Sequence, residues 1–242
     1  MPVPETRQDR RKARTRARIL DAAAPLLSAE PETATIERIA DAADVAVATV
    51  YQHFAGKGDL RLAVLERALA ENERHMLAVY GSDAAPVEKL VDAAGAYLRF
   101  YLDAPQLFGL IALPRASAPG DRPARPCAAT VAGRVELMTQ ALASVIGQAI
   151  GEGSLHPVEP LAAARFLWGM MNGVIALALR PDPLRLTEAE MCAALRQGTE
   201  ILFTGIVTDT WRDATGRLAP QLRDRLHSAM SQAGGDSGSS AR

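Results

Sequence analysis

Cysteine is nearly absent from this chain: its 242 residues hold two, Cys127 and Cys192, far apart and in no metal-ligand spacing. That excludes a disulfide framework and fits two inert thiols in a reducing compartment. An uninterrupted apolar run of about 18 residues is lacking, and no apolar segment follows the Arg-rich start, so neither a membrane span nor a secretory signal is expected and the chain is expected to stay in the cytoplasm. Charge of one sign is also lacking. Lys and Arg number 27 against 28 Asp and Glu, a formal net charge of −1, so any attraction to nucleic acid has to be local. Catalytic groupings are missing as well. His53, His75, His156 and His227 are scattered singly, no two share a helix face as metal ligands, and the serines have no nucleophile-elbow context. Gly151-Glu152-Gly153 is too short for a phosphate loop and follows a helix rather than a strand. No enzyme, metal or cofactor is expected.

What is present is helical. Apolar residues recur every three to four positions rather than every two, which predicts an all-α fold. The first stripe is Ile19, Ala22, Ala23, Leu26 and Leu27. Ahead of it lies a basic stretch in which Arg7, Arg10, Arg11, Lys12, Arg14, Arg16 and Arg18 face only Glu5 and Asp9; it is either a phosphate-neutralising arm or a solvated, frayed helix start. A second stripe, Ile36, Ile39, Ala40 and Ala43, begins after Thr35, whose hydroxyl can cap the free amides there, with Glu37 at the positive end of the dipole. Ala43-Asp44-Val45 then makes a tight turn, Asp being one of the few residues that tolerate a left-handed backbone. Val47 to Phe54 follows at once. Its valines and threonine favour a strand, but a lone short strand has nothing to pair with, so a helix imposed by packing is expected. Val50 and Phe54 then point to the core and Ala48, Thr49, Tyr51, Gln52 and His53 mostly outward.

Two short helices joined by a turn of about three or four residues make a helix-turn-helix, whose second helix can enter the major groove. Val47 and Ala48 are small enough for close approach and can touch thymine methyls, Thr49 and Gln52 can bond base edges, Tyr51 and His53 can reach phosphates, and Lys57, expected in the loop beyond, adds a charge. An ordinary pair of packed helices with a polar outer surface has the same spacing.

The order Ile19-Leu20-Asp21-Ala22-Ala23, Thr35, Ile39-Ala40, Val45 and Thr49-Val50-Tyr51-Gln52-His53-Phe54, followed by Lys57 and Leu60, resembles the N-terminal domain of the TetR family of repressors over residues 10 to 60. The resemblance implies backbone contacts from Thr35, Tyr51, His53 and Lys57, with Val47, Ala48, Thr49 and Gln52 nearest the bases. Asp44, Ala46, Ala48 and Pro31 depart from residues usual in that family, which are Gly, a Ser-like cap, Gly and Gly. Asp44 is a candidate cap for the recognition helix, and Pro25 a candidate kink in the first.

From Leu60 a long amphipathic stretch leads into a body of helices expected at about 86 to 103, 105 to 113, 123 to 152, 158 to 180 and 187 to 208. The expected organisation is a flexible arm over 1–9, a three-helix DNA-binding domain over 10–58, an effector-binding and dimerisation domain over 59–210 and a mostly disordered tail over 211–242, which ends in a Gly- and Ser-rich run. Tyr97, Phe100, Tyr101, Phe108, Met138, Trp168 and Met171 are candidates for an effector pocket, though aromatics and methionines at helical spacing also build plain core. Few isolated charges lie in the central helices, so a small apolar or aromatic effector is expected. Gly169, Gly173, Gly198, Leu202 and Gly205 are candidates for a dimer interface, because glycine inside a helix costs about 1 kcal/mol and asks for a close approach of backbones. Such a homodimer would place two recognition helices about 34 Å apart and read a palindromic operator in double-stranded DNA. The function expected is a transcriptional repressor released by a small molecule. The alternative is a helical ligand-binding or protein-interaction module without DNA-binding activity.

Overall fold

The computed structural model describes residues 6–29, 33–103, 105, 108 and 125–235, and every regular element among them is helical. Two isolated β-bridges, Leu155 with Val207 and Arg212 with Leu218, are the only extended pairings among the described residues. The all-α fold is as expected. Two compact units divide the chain, one of residues 1–69 with 106–132, the other of 70–105 with 133–242.

In the first unit α1 spans Arg7–Ala29, α2 Ile36–Ala42 and α3 Val47–His53, and α4 starts at Lys57 and runs to Tyr80. The helix begins inside the arm expected over 1–9. Thr6 and Asp9 cap it reciprocally: the Thr6 amide donates to Asp9 Oδ2 at 3.0 Å and the Asp9 amide to Thr6 Oγ1 at 3.1 Å. Pro25 lies within α1, which continues past it to Ala29. Pro31, which departs from the family's usual Gly, lies outside the described residues. Ile19, Leu27, Ile39, Val50 and Leu60 are fully buried at the centre of a core that also takes in Phe54 and Val64. Tertiary packing therefore overrides the strand propensity of Val47–His53, a segment with no strand among the described residues to pair with. Lys57 is corrected from loop to the first turn of α4, which Asp59 starts by accepting the Ala55 amide at 3.1 Å.

In the second unit α5 spans Pro86–Asp103, α6 Arg125–Gly151, α7 Pro160–Ala178 and α8 Glu188–Ile206. The start of α6 falls in the first unit, since the boundary crosses that helix. These helices sit close to their expected ranges. The helix expected over 105–113 lies outside the described residues except for Pro105 and Phe108. Glu159 caps α7 by accepting the Leu161 amide at 3.1 Å, and Thr187 with Glu190 forms a capping box on α8. By length and composition α7 could cross a membrane, although Arg165 and Asn172 interrupt it.

The tail expected from 211 is corrected over its described part. After a 3₁₀ turn at Asp209–Trp211, α9 spans Pro220–Gly235. Leu218, Leu222, Leu226 and Met230 recur every four residues and are all buried, a stripe that repays the ordering of the helix. A turn aims it: the Asp213 amide bonds Arg217 O at 2.8 Å, and the Ala219 amide bonds Trp211 O at 2.8 Å. Against α5, Arg225 makes a forked pair with Asp92 at 2.8 and 2.6 Å and reaches Glu88 at 3.4 Å. Gly95 lets the backbones meet, since a Cβ there would lie 2.7 Å from Ala229 O.

Candidate nucleic-acid interface and effector cavity

The turn between α2 and α3 is held from both sides. Asp44 takes φ 50°, the left-handed backbone expected of it, and the Val45 amide returns to Ala40 O at 3.0 Å. Arg18 reaches across from α1 and donates to Ala43 O at 2.6 Å and Asp44 O at 2.9 Å. Asp44 does not cap α3. The N-cap is Ala46, which makes no side-chain bond there, and the Thr49 amide bonds Ala46 O at 2.8 Å.

On α3 the fully buried Val50 fixes the rotation. Ala48, Tyr51 and Gln52 face out, Tyr51 at 55% exposure, while Thr49 and His53 are half-buried. Val47 is turned partly toward the core and packs against it, so of the proposed base-facing residues it is the least free. Thr35 is exposed, but its Oγ1 already accepts the Arg38 amide at 3.3 Å as the N-cap of α2. Arg16 lies 4.9 Å over the Phe54 ring, a cation–π contact that ties the basic start of α1 to the end of α3. His53 has its pKa lowered from 6.5, first by burial and then by Lys12 and Arg16, and its Nδ1 is buried without a partner. Arg7, Arg10, Arg11, Lys12, Arg14, Arg16 and Arg18 are all exposed along the first turns of α1. The structure thus places the basic stretch on a capped helix, not on an unstructured arm.

Within the second unit an apolar cavity opens between α4, α5, α6, α7 and α8. It encloses about 740 Å³ of space outside atoms, open solvent included, of which about 80 Å³ admits the centre of a water molecule. Of the seven pocket candidates, Tyr97, Met138, Trp168 and Met171 line it. Phe100 and Tyr101 do not line it: Phe100 borders a separate groove with His75, Arg99 and Arg225, and Tyr101 sits within the fields of Glu188, Arg185 and Cys192. Phe108 is assigned to the first unit. Phe100 belongs to the neighbouring stripe of α5 with Gly95, Ala96 and Arg99, whereas Tyr101 shares the face of Tyr97 but lies one turn beyond the α5 residues that line the cavity, Leu90, Ala93, Ala94 and Tyr97. Residues not foreseen include Asn72, Met76, Tyr80, Leu142, Met170, Thr199 and Phe203; an amphipathic pattern does not distinguish lining a cavity from filling a core. None of the described residues that line it is charged. Burial pushes the Tyr80 phenol well above its ordinary range and that of Tyr97 up to about 12, so both stay neutral hydroxyls.

Of the five interface candidates, the four glycines have no described neighbour where a side chain would stand. A Cβ added at Gly169, Gly173, Gly198 or Gly205 would meet nothing within 4 Å, so these glycines do not serve close packing inside the chain. Beside them Phe166, Leu177 and Ile201 are 63%, 39% and 67% exposed, and Leu202 is half-buried.

Comparison with known proteins agrees with both halves. Residues 19–64 match the family described as bacterial regulatory proteins, tetR family, and residues 90–200 match the tetracyclin repressor-like C-terminal domain. No curated protein matches significantly. Among solved structures, a gamma-butyrolactone receptor (ArpA-like protein) is similar with a TM-score of 0.65 at 20% identity, over 92% of this chain and 99% of that one. FadR of Bacillus subtilis, in complex with stearoyl-CoA, is similar with a TM-score of 0.65 at 18% identity, over 78% and 98%. SmeT, the repressor of a multidrug efflux pump of Stenotrophomonas maltophilia, is similar with a TM-score of 0.60 at 20% identity, over 80% and 91%. At such identities these structures speak for the fold alone.

Proposed function

Since the chain belongs to the TetR family of transcriptional regulators, with a DNA-binding helix-turn-helix domain and a ligand-binding C-terminal domain, we propose that it acts as a homodimeric repressor which leaves a palindromic operator when a small neutral effector enters the cavity. The observation that carries the DNA part is the outward face of α3, where Ala48, Tyr51 and Gln52 stand exposed on a helix whose rotation Val50 and the Arg18 clamp fix. Thr49 and Gln52 would bond base edges; Thr35, Tyr51, His53 and Lys57 would hold phosphates; Val47 and Ala48 would lie against methyl groups. Phosphate attraction would come from the exposed arginines of α1.

Dimerisation would bury the open face of α7 and α8, covering Phe166, Leu177 and Ile201 and seating a partner helix against Gly169, Gly173, Gly198 and Gly205. A cavity with no charge among its described lining residues suits a neutral, mainly apolar molecule better than the charged head of an acyl-CoA. Effector binding would shift the population toward a spacing of the recognition helices that no longer fits DNA, and by linkage operator DNA would weaken effector binding by the same factor. Selection of binding sites from random duplex DNA by the purified protein, with Tyr51→Ala in parallel, tests the proposal. Recovery of one inverted repeat that the variant loses supports it; no enrichment at low salt would leave a ligand-binding module without DNA activity.

A further inference from the structure

The cavity contains two polar side chains that the protein leaves unpaired. Asn72, on α4 and 2% exposed, has no partner for Oδ1, and its Nδ2 reaches only the weak acceptor Met138 Sδ at 3.7 Å. Thr199, on α8 and 1% exposed, makes no hydrogen bond through Oγ1. Both line the cavity.

Comparable residues nearby are satisfied. Thr139 and Thr204 turn their hydroxyls back to the carbonyls of Val135 and Glu200, at 2.8 and 2.7 Å, the usual habit of threonine in a helix. Thr199 does not. Asn172 donates to Trp168 O at 2.7 Å and accepts from the Tyr97 hydroxyl at 3.1 Å, so its amide is used at both ends. Only Asn72 and Thr199, among these, carry an unpaired polar atom at full burial, a condition that costs stability unless something else supplies the partner.

We propose that Asn72 and Thr199 form the polar subsite of the effector cavity and select a neutral, mainly apolar molecule bearing a hydroxyl or similar hydrogen-bond donor. This rests on the reading of the cavity as the effector site. Asn72 Oδ1 accepts the donor of the ligand, and the Thr199 hydroxyl gives or accepts a second bond. With no cation among the described residues that line the cavity, a carboxylate entering it would lose its hydration without compensation from them. Met76, Met138, Met170 and Met171 supply the rest of the fit, since their unbranched thioethers can repack around an apolar body that the narrow empty space does not yet accommodate.

The test uses full-length protein carrying Trp211→Phe, so that Trp168 in the cavity is the one remaining tryptophan. Its emission is titrated with 1-decanol, decyl methyl ether and decanoate at pH 8. The alcohol is expected to bind about tenfold more tightly than the ether, which offers no donor, and more tightly still than decanoate. Asn72→Leu is expected to remove the preference for the alcohol over the ether, and Thr199→Val to reduce it. Both variants, without ligand, are expected to raise Tm by roughly 2–4 °C, because each deletes an unpaired buried group. Equal binding of all three probes, or a preference that survives Asn72→Leu, overturns the subsite while leaving the cavity as the effector site. No change in Trp168 emission with any probe overturns both. A fall in Tm for both variants would assign the two side chains to the apo structure and overturn the proposal.

Discussion

Two glycines inside helices should respond to the same methyl group with opposite signs. At Gly133, in the interior of α6, an added Cβ meets nothing within 4 Å. At Gly95, in α5, it would lie 2.7 Å from both Cβ and O of Ala229 and 2.9 Å from its carbonyl carbon. Alanine gains about 1 kcal/mol over glycine in a helix interior, so Gly133→Ala should raise stability by up to that amount. Gly95→Ala starts with the same gain, but the obstacle is backbone, which no rotamer change relieves. Helix α9 must move off α5, straining the Arg225–Asp92 fork and loosening Leu222, Leu226 and Met230. Overpacking of this kind costs about 1–3 kcal/mol, and contact with a main-chain carbonyl belongs at the upper end, leaving a net loss of about 1–2 kcal/mol. For a chain of this size that is a fall in Tm of roughly 2–8 °C. Thermal unfolding followed by circular dichroism at one fixed protein concentration reads both variants. A Gly95→Ala protein as stable as Gly133→Ala would refute the close approach of α9 to α5.

Tyr51→Ala should weaken operator binding about ten- to a hundredfold, the loss of one charge-assisted contact, with an unchanged unfolding curve because Tyr51 is exposed; mobility-shift titration checks it. Gly173→Leu should leave the chain folded but raise the dimer dissociation constant roughly thirtyfold, since the two-fold axis repeats an overpacking of about 1 kcal/mol in both copies; sedimentation measures it, and an unchanged dimer would remove α7 from the interface. His53 takes up its proton more readily unfolded than folded, because burial and then Lys12 and Arg16 lower its folded pKa from 6.5. The first unit should therefore be most stable above about pH 6.5 and lose stability as the pH falls through 6.5 toward the depressed value. Urea midpoints at pH 7.5 and 5.5 should differ less for His53→Gln than for the wild type.

Local pattern was enough to predict the helix-turn-helix. Val50 and Phe54 at a helical interval, the Thr35 cap and the left-handed Asp44 each act within a few residues, and all three stand as expected. The same holds for α5 and α8, whose ends are set by Pro86 and the Thr187 capping box. Helix α9 was missed because its stripe of Leu222, Leu226 and Met230 is narrow and lies next to a Gly- and Ser-rich run. Its stability comes from α5, far away in sequence. The cavity was only half legible for a related reason. Periodicity says which face of a helix is apolar, so Tyr97, Met138, Trp168 and Met171 could be named, but not which turn of that face borders empty space. Asn72 and Thr199 gave no sequence signal, since an unpaired polar atom is defined by neighbours on other helices. The sequence by itself determined most of the helices, the Thr35 cap and the exposure of Ala48, Tyr51 and Gln52 on α3, because those depend on interactions along one element; helix α9, which faces meet, which glycines stay open and which polar atoms go without partners were decided by tertiary structure, where the contacts are long-range.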